Sequence, residues 1–165
     1  FMPILDSHTL EFFSRSAEQT RRLGMRLGGL LQKGDVVALQ GDLGSGKTTL
    51  VQGIAQGWGS LDPVTSPTFV LVNLYRRPGD GELYHLDAYR LDNAQDALDL
   101  DVDEMIEDGI LVVEWSERIA SALPEEQLHI GLRWIADEQR GMIITPTGSH
   151  YQQLVEDFRK RVLGG

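Results

Sequence analysis

No cysteine occurs anywhere in the 165 residues, which removes disulfides, thiolate nucleophiles and cysteine-ligated zinc together. Histidine is scarce as well. The four, His8, His85, His129 and His150, stand far apart and show no metal-ligand spacing. Long apolar runs are missing: no stretch approaches the roughly 20 residues a membrane-spanning helix needs. The start of the chain lacks the basic flank and apolar run of a secretory signal. Positive charge is in deficit too, with 15 Lys and Arg against 25 Asp and Glu, a formal net charge of −10. Gripping nucleic acid takes a basic face that neutralises phosphates. Strong direct RNA binding by this chain alone is therefore not expected, although a local basic patch, or a partner that brings one, stays open. These absences point to a cytoplasmic protein without membrane association.

The rest of the composition, 41% hydrophobic and 24% charged, is that of an ordinary globular domain. The length predicts one domain, taken as residues 2–165, with Phe1 ahead of Met2 left out of the reading. Apolar residues at helical spacing predict a helix from Ala17 to Leu31, with Ser16 as its N-cap and Lys33-Gly34 beyond its end. Asp35 to Gln40 is a short apolar run, read as a buried strand, and a glycine-rich turn leads from it into a helix over Lys47–Trp58. Thr68 to Tyr75 and Glu82 to Asp87 read as a hairpin. Leu91 to Asp108 is acidic and weakly helical. Ile110 to Val113 is a second strongly apolar strand. Leu128 to Ile135 and Gly141 to Thr145 form a second hairpin, and an amphipathic helix over Tyr151 to Val162 closes the chain. Crossover and hairpin connections together predict an α/β fold: three layers around a mixed parallel/antiparallel sheet.

One motif carries chemistry. Gly41-Asp-Leu-Gly44-Ser-Gly46-Lys47-Thr48 matches G-x-x-x-x-G-K-[ST] at every fixed position, between a strand and a helix as the motif requires. Glycines let the backbone wrap closely, so that successive N–H groups point at phosphate oxygens. The helix N-terminus adds its positive end. In this pattern Lys47 reaches the β- and γ-phosphates and the Thr48 hydroxyl ligates Mg²⁺. Magnesium also calls for an acid at a strand end, and two compete: Glu114, after four aliphatics, and Asp87, after Tyr84-His-Leu. Thr65-Ser66-Pro-Thr68 is either a γ-phosphate-sensing loop or a proline-set turn. His85 is either a base or a half-buried strand residue. Trp115 either stacks near the nucleotide or fills the core. No Asn-Lys-x-Asp run is present to read guanine, which favours ATP over GTP.

Together, Gly41-Asp-Leu-Gly-Ser-Gly-Lys-Thr-Thr49, Thr65-Ser-Pro-Thr-Phe69, His85-Leu-Asp-Ala-Tyr-Arg90 and Glu114-Trp115 resemble the TsaE (YjeE) family of small bacterial ATPases required for threonylcarbamoyladenosine modification of tRNA. The likeness spans roughly Ala17 to Trp115. It implies a P-loop NTPase-like fold that binds Mg²⁺ with ATP as substrate and hydrolyses it slowly. By the same resemblance Thr48 and Glu114 are the metal ligands, and Lys47, Asp87 and Glu114 are the catalytic groups. Thr65, Ser66 and Thr68 become a nucleotide-sensing segment. Nucleotide contacts come from Ser16, Ala17, Gly41, Asp42, Leu43, Gly44, Ser45, Gly46, Lys47, Thr48, Thr49 and Arg140. The implied partner is the two-subunit transferase machinery that moves the threonylcarbamoyl group to adenosine 37 of tRNA; the ATPase does not perform the transfer. Two other classes share the loop: a small metabolite kinase, which would need an arginine-rich lid that only Arg76-Arg77 suggests, and a nucleotide-gated binding module with negligible turnover.

Overall fold

The computed structural model describes residues 8–64 and 72–163. Thirteen elements follow along the chain: β1 (Leu10–Ser14), α1 (Ala17–Gly28), β2 (Val36–Gln40), α2 (Lys47–Trp58), β3 (Val72–Arg76), β4 (Glu82–Asp87), α3 (Ala94–Asp99), α4 (Val102–Asp108), β5 (Ile110–Glu114), a 3₁₀ segment (Ser116–Ala122), β6 (Leu128–Ala136), β7 (Gln139–Pro146) and α5 (Ser149–Leu163). The strands form one sheet in the order β1-β7-β6-β2-β5-β4-β3. Parallel pairs join β6, β2, β5 and β4, while β1–β7, β7–β6 and β4–β3 are antiparallel. The expected mixed α/β sheet is what the chain forms. Among the described residues no helix is long and apolar enough to cross a membrane.

The central strands are apolar on both sides because helices cover both. Val37, Leu39, Ile110, Val112, Leu83, Leu128, Ile130 and Leu132 pack under α1, α2 and α5. Ala38, Leu111, Val113 and Leu86 face α3, α4 and the 3₁₀ segment. Each fully buried aliphatic is worth about 1.5–3 kcal/mol.

Local chemistry explains the helix boundaries. Ser16 caps α1 by accepting the Gln19 N–H at 3.0 Å, and Gln19 Oε1 accepts the Arg15 N–H at 2.7 Å. Such a cap contributes about 1 kcal/mol. The helix ends at Gly28 rather than Leu31; Leu30 and Leu31 continue in tighter turns, bonding back to Leu27 and Gly28. Gly28 is there for contact. A Cβ on it would lie 2.0 Å from the Ile54 carbonyl oxygen, on Gly24 2.5 Å from that of Leu50, on Gly53 2.0 Å from that of Arg21 and on Gly57 1.9 Å from that of Met25. Helices α1 and α2 thus run parallel, with backbone against backbone. The acidic stretch divides into α3 and α4 at Asp101, which adopts φ 62°. Strand β1 and the 3₁₀ segment are additions to the sequence expectation.

Candidate functional site

Parallel register brings the strand ends together at one edge of the sheet. Leu39 of β2 pairs with Glu114 of β5, and Glu114 pairs with Asp87 of β4. The turn from β2 to α2 opens at the same edge, and Gly46, at φ 101°, takes the left-handed conformation that lets it curl into α2. A cleft of about 330 Å³ forms here. Leu43, Gly44, Gly46, Lys47, Thr48 and Thr49 line it from the turn, and Asp87, Glu114, Trp115 and Arg140 close it.

Lys47 is almost fully buried, and its ammonium turns back into the loop. It donates to the Gly41 carbonyl, to the Asp42 carbonyl at 2.8 Å and to Ser45 Oγ at 3.3 Å. The Trp115 ring centre lies 4.2 Å from Nζ, a cation–π contact of about 0.5–2 kcal/mol. Burial lowers the Lys47 pKa, opposed by Glu114, Glu117, Asp42 and Asp87. Thr48 Oγ1 donates to Glu114 Oε1 at 3.3 Å. The other Glu114 oxygen lies 2.5 Å from His85 Nε2, and His85 Nδ1 lies 3.1 Å from the Tyr75 hydroxyl. One tautomer satisfies the whole series: Tyr75 donates to Nδ1, Nε2–H donates to Glu114, and the carboxylate accepts from Thr48. His85 is fully rather than half buried, and both its ring nitrogens are engaged, Nδ1 with Tyr75 and Nε2 with Glu114.

Asp87 is the more open carboxylate, half-buried, with Oδ1 accepting the Tyr89 N–H at 3.0 Å. Burial raises its pKa, and neighbouring Glu114 adds to the rise. The competition between the two acids thus ends with both in the cleft. Among the described residues no three His, Asp or Glu side chains gather into a metal cage. The donors at hand, a hydroxyl beside two carboxylates, fit a hard cation that completes its shell with phosphate and water, as Mg²⁺ does.

Arg140 lies over the turn: its Cγ is 3.5 Å from where a Cβ on Gly46 would stand. Five anticipated contact residues lie outside the cleft lining. Ser16 and Ala17 sit at the head of α1, beside Ser14, the register partner of Arg140. Asp42 offers its carbonyl to Lys47 while its residue faces solvent. Gly41 and buried Ser45 belong to the turn but do not line the cleft. Thr65, Ser66 and Thr68 fall outside the described residues. Arg76 and Arg77, the suggested lid, stand at the opposite edge, where β3 meets the start of β4, and Arg77 is engaged with Trp58 and the Asp80 carbonyl.

Sequence reasoning missed Tyr75 and the role of His85. A signal existed for the second: two residues before Asp87 on a strand, His85 must share its face. No signal pointed to Tyr75, which reaches the site only through the β3–β4 register.

The chain is similar to known proteins over most of its length. A family model described as threonylcarbamoyl adenosine biosynthesis protein TsaE matches residues 14–142. A protein of Treponema pallidum called tRNA threonylcarbamoyladenosine biosynthesis protein TsaE is 46% identical over 132 residues, covering 79% of this chain and 96% of the relative. The protein of that name from Bacillus subtilis is 35% identical over 152 residues, covering 92% and 94%. Among solved structures, the crystal structure of Bacillus subtilis YdiB superposes with a TM-score of 0.78 at 32% identity, covering 93% of this chain and 96% of that one.

Proposed function

The chain belongs to the TsaE family of threonylcarbamoyl adenosine biosynthesis proteins, and on that premise we propose that it binds Mg²⁺-ATP and hydrolyses it slowly. In this reading it serves threonylcarbamoyl modification of adenosine 37 in tRNA by acting on the two-subunit transferase, in the cytoplasm, and does not perform the transfer. One observation carries the reading: a buried ammonium held among the carbonyls of a glycine turn, one residue before a hydroxyl already aligned on a strand-end carboxylate.

In this reading each group takes a role that its position supports. The turn's N–H groups and the start of α2 receive phosphate oxygens. Lys47 exchanges its loop carbonyls for the β- and γ-phosphates, a short movement of an ammonium already desolvated by its surroundings. Thr48 and Glu114 hold the metal, with Glu114 steadied by His85. Mg²⁺ held there would supply neutralisation of the phosphate charge. Asp87, the acid left open to the cleft, orients the attacking water. An added arginine is worth about 10³–10⁵ in rate in such enzymes. Arg140 donates through Nη1 to three carbonyls of its own hairpin, which supports slow turnover without a partner.

Phosphate release from ATP tests this, measured for the isolated protein, with the transferase subunits, and with candidate metabolite acceptors. The expected result is slow release alone and faster release with the transferase. Fast turnover indifferent to those subunits, or phosphate appearing on a metabolite, overturns the proposal.

A further inference from the structure

Beyond the phosphate cradle, the same edge of the sheet holds a large aromatic side chain that the site so far leaves unused. Trp134 of β6 is 56% exposed. It pairs in register with Arg140 of β7, which pairs in turn with Ser14 of β1. Residues directly opposite on antiparallel strands share a face. Ser14, Arg140 and Trp134 therefore form one row across three strands, on the face that carries α1 and α2. This is the face of Leu132, two residues before Trp134 and part of the core beneath those helices.

The row adjoins the phosphate turn. Gly41 packs so closely on β6 that a Cβ there would stand 2.5 Å from the Leu132 carbonyl oxygen. Trp134 is about 7 Å further along the strand, at roughly 3.4 Å per residue. The register shifts between Trp134 and Ala136, an irregularity of the kind that re-aims side chains beside functional sites. Arg140 is fastened by Nη1 to the Ala136, Asp137 and Gln139 carbonyls, while its buried Nε has no protein hydrogen-bond partner. The other aromatic side chains near the cleft are engaged. Trp115 packs on Tyr89 with ring centres 4.9 Å apart and also meets Lys47. Phe13, also exposed, alternates to the opposite face, where Arg133 lies 5.7 Å from its ring.

We propose that Trp134 is the platform on which the purine base of the bound nucleotide stacks, with Arg140 beside it between base and phosphates. The inference rests on the turn at Gly41–Thr48 being a triphosphate cradle. It adds the end of the ligand that the cradle does not hold.

Titration calorimetry on the full chain in Mg²⁺ buffer tests it, with ATP and inorganic tripolyphosphate as separate ligands. Stacking on an aromatic ring is worth about ten-fold or more in affinity. Trp134→Ala should weaken ATP by about that factor, Trp134→Phe should keep most of the affinity, and tripolyphosphate should bind both variants as it binds the wild type. An unchanged melting temperature, expected for an exposed side chain, accompanies this result. Unaltered ATP affinity in Trp134→Ala overturns the proposal, and so does equal weakening of ATP and tripolyphosphate. Equal affinity of the wild type for the two ligands also overturns it while leaving the cradle standing. If the wild type binds neither ligand, the cradle reading falls first and the platform with it. Intact nucleotide affinity combined with lost stimulation by the transferase makes Trp134 a partner contact instead.

Discussion

The parallel centre of the sheet and its antiparallel wing solve different problems. Strands β2, β5 and β4 are packed on both faces, so most of their residues are apolar and the charged or amide ones sit at the ends: Gln40, Glu82, Asp87 and Glu114. His85 is the exception inside a strand, and it is fully hydrogen-bonded. Strands β1, β7 and β6 are covered on one face only. Leu10, Phe12, Met142 and Ile144 pack inward, while Phe13 and Arg133 face out. A strand buried on both sides can offer chemistry only where it stops. A strand of the wing can carry function on its inner face where the helices leave that face uncovered, as at Trp134 in the Ser14–Arg140–Trp134 row. The phosphate end of the site therefore comes from the ends of the central strands, and the base end proposed above from the inner face of the wing.

The largest effect should come from breaking the centre. Lys47→Ala removes the one buried cation of the turn and should lower ATP turnover by about 10²-fold or more. The melting temperature should move by no more than about 4 °C. Wild-type turnover in a steady-state phosphate assay would remove the turn from the mechanism. The link between centre and wing comes next. Gly28→Ala forces a methyl into the Ile54 carbonyl and should cost about 3 kcal/mol, a fall of about 6–12 °C in a thermal melt. A melt within 2 °C of wild type would mean that the helices can separate freely. Within the centre, Glu114→Gln should weaken Mg²⁺-dependent ATP binding by about ten-fold, more than Asp87→Asn does, because a hard cation favours the aligned carboxylate. Calorimetry with and without Mg²⁺ reads this, and a larger metal effect for Asp87→Asn would exchange the two roles. The smallest effect belongs to the open face of the wing. Phe13→Thr should change stability by about 0.5 kcal/mol or less and leave ATP affinity unaltered. A large loss of affinity would show that this face takes part.

The centre was also the region the sequence made legible. Short aliphatic runs flanked by glycine can hardly be anything but buried parallel strands, and the turn between β2 and α2 has a motif whose flanks test it. The ends of the site were harder. Strand β1 holds Phe12 and Phe13 side by side, one under α5 and one in solvent, so hydrophobicity does not alternate along it. The 3₁₀ segment has too few residues to set up a period. The division at Asp101 turns on one residue adopting a left-handed conformation, for which Asp is only mildly suited. The Tyr75–His85–Glu114 series joins three strands, and no spacing within one segment encodes a contact made by register. The Ser45 side chain accepts from Lys47, a contact inside the turn that the motif pattern does not specify.

In most helix pairs, side chains act as springs, and a push at one end is absorbed as rotamers change along the interface. The glycines shared by α1 and α2 remove the springs. With carbonyls of one helix resting on Cα atoms of the other, the pair has the stiffness of a single thick rod. One end of that rod carries both the phosphate turn, through α2, and the outermost strand of the wing, through Ser14–Ala17. It acts as a strut that sets the span between the two halves of the sheet. Any molecule lying from the turn to the wing is measured against a fixed gauge, so its length matters as much as its chemistry.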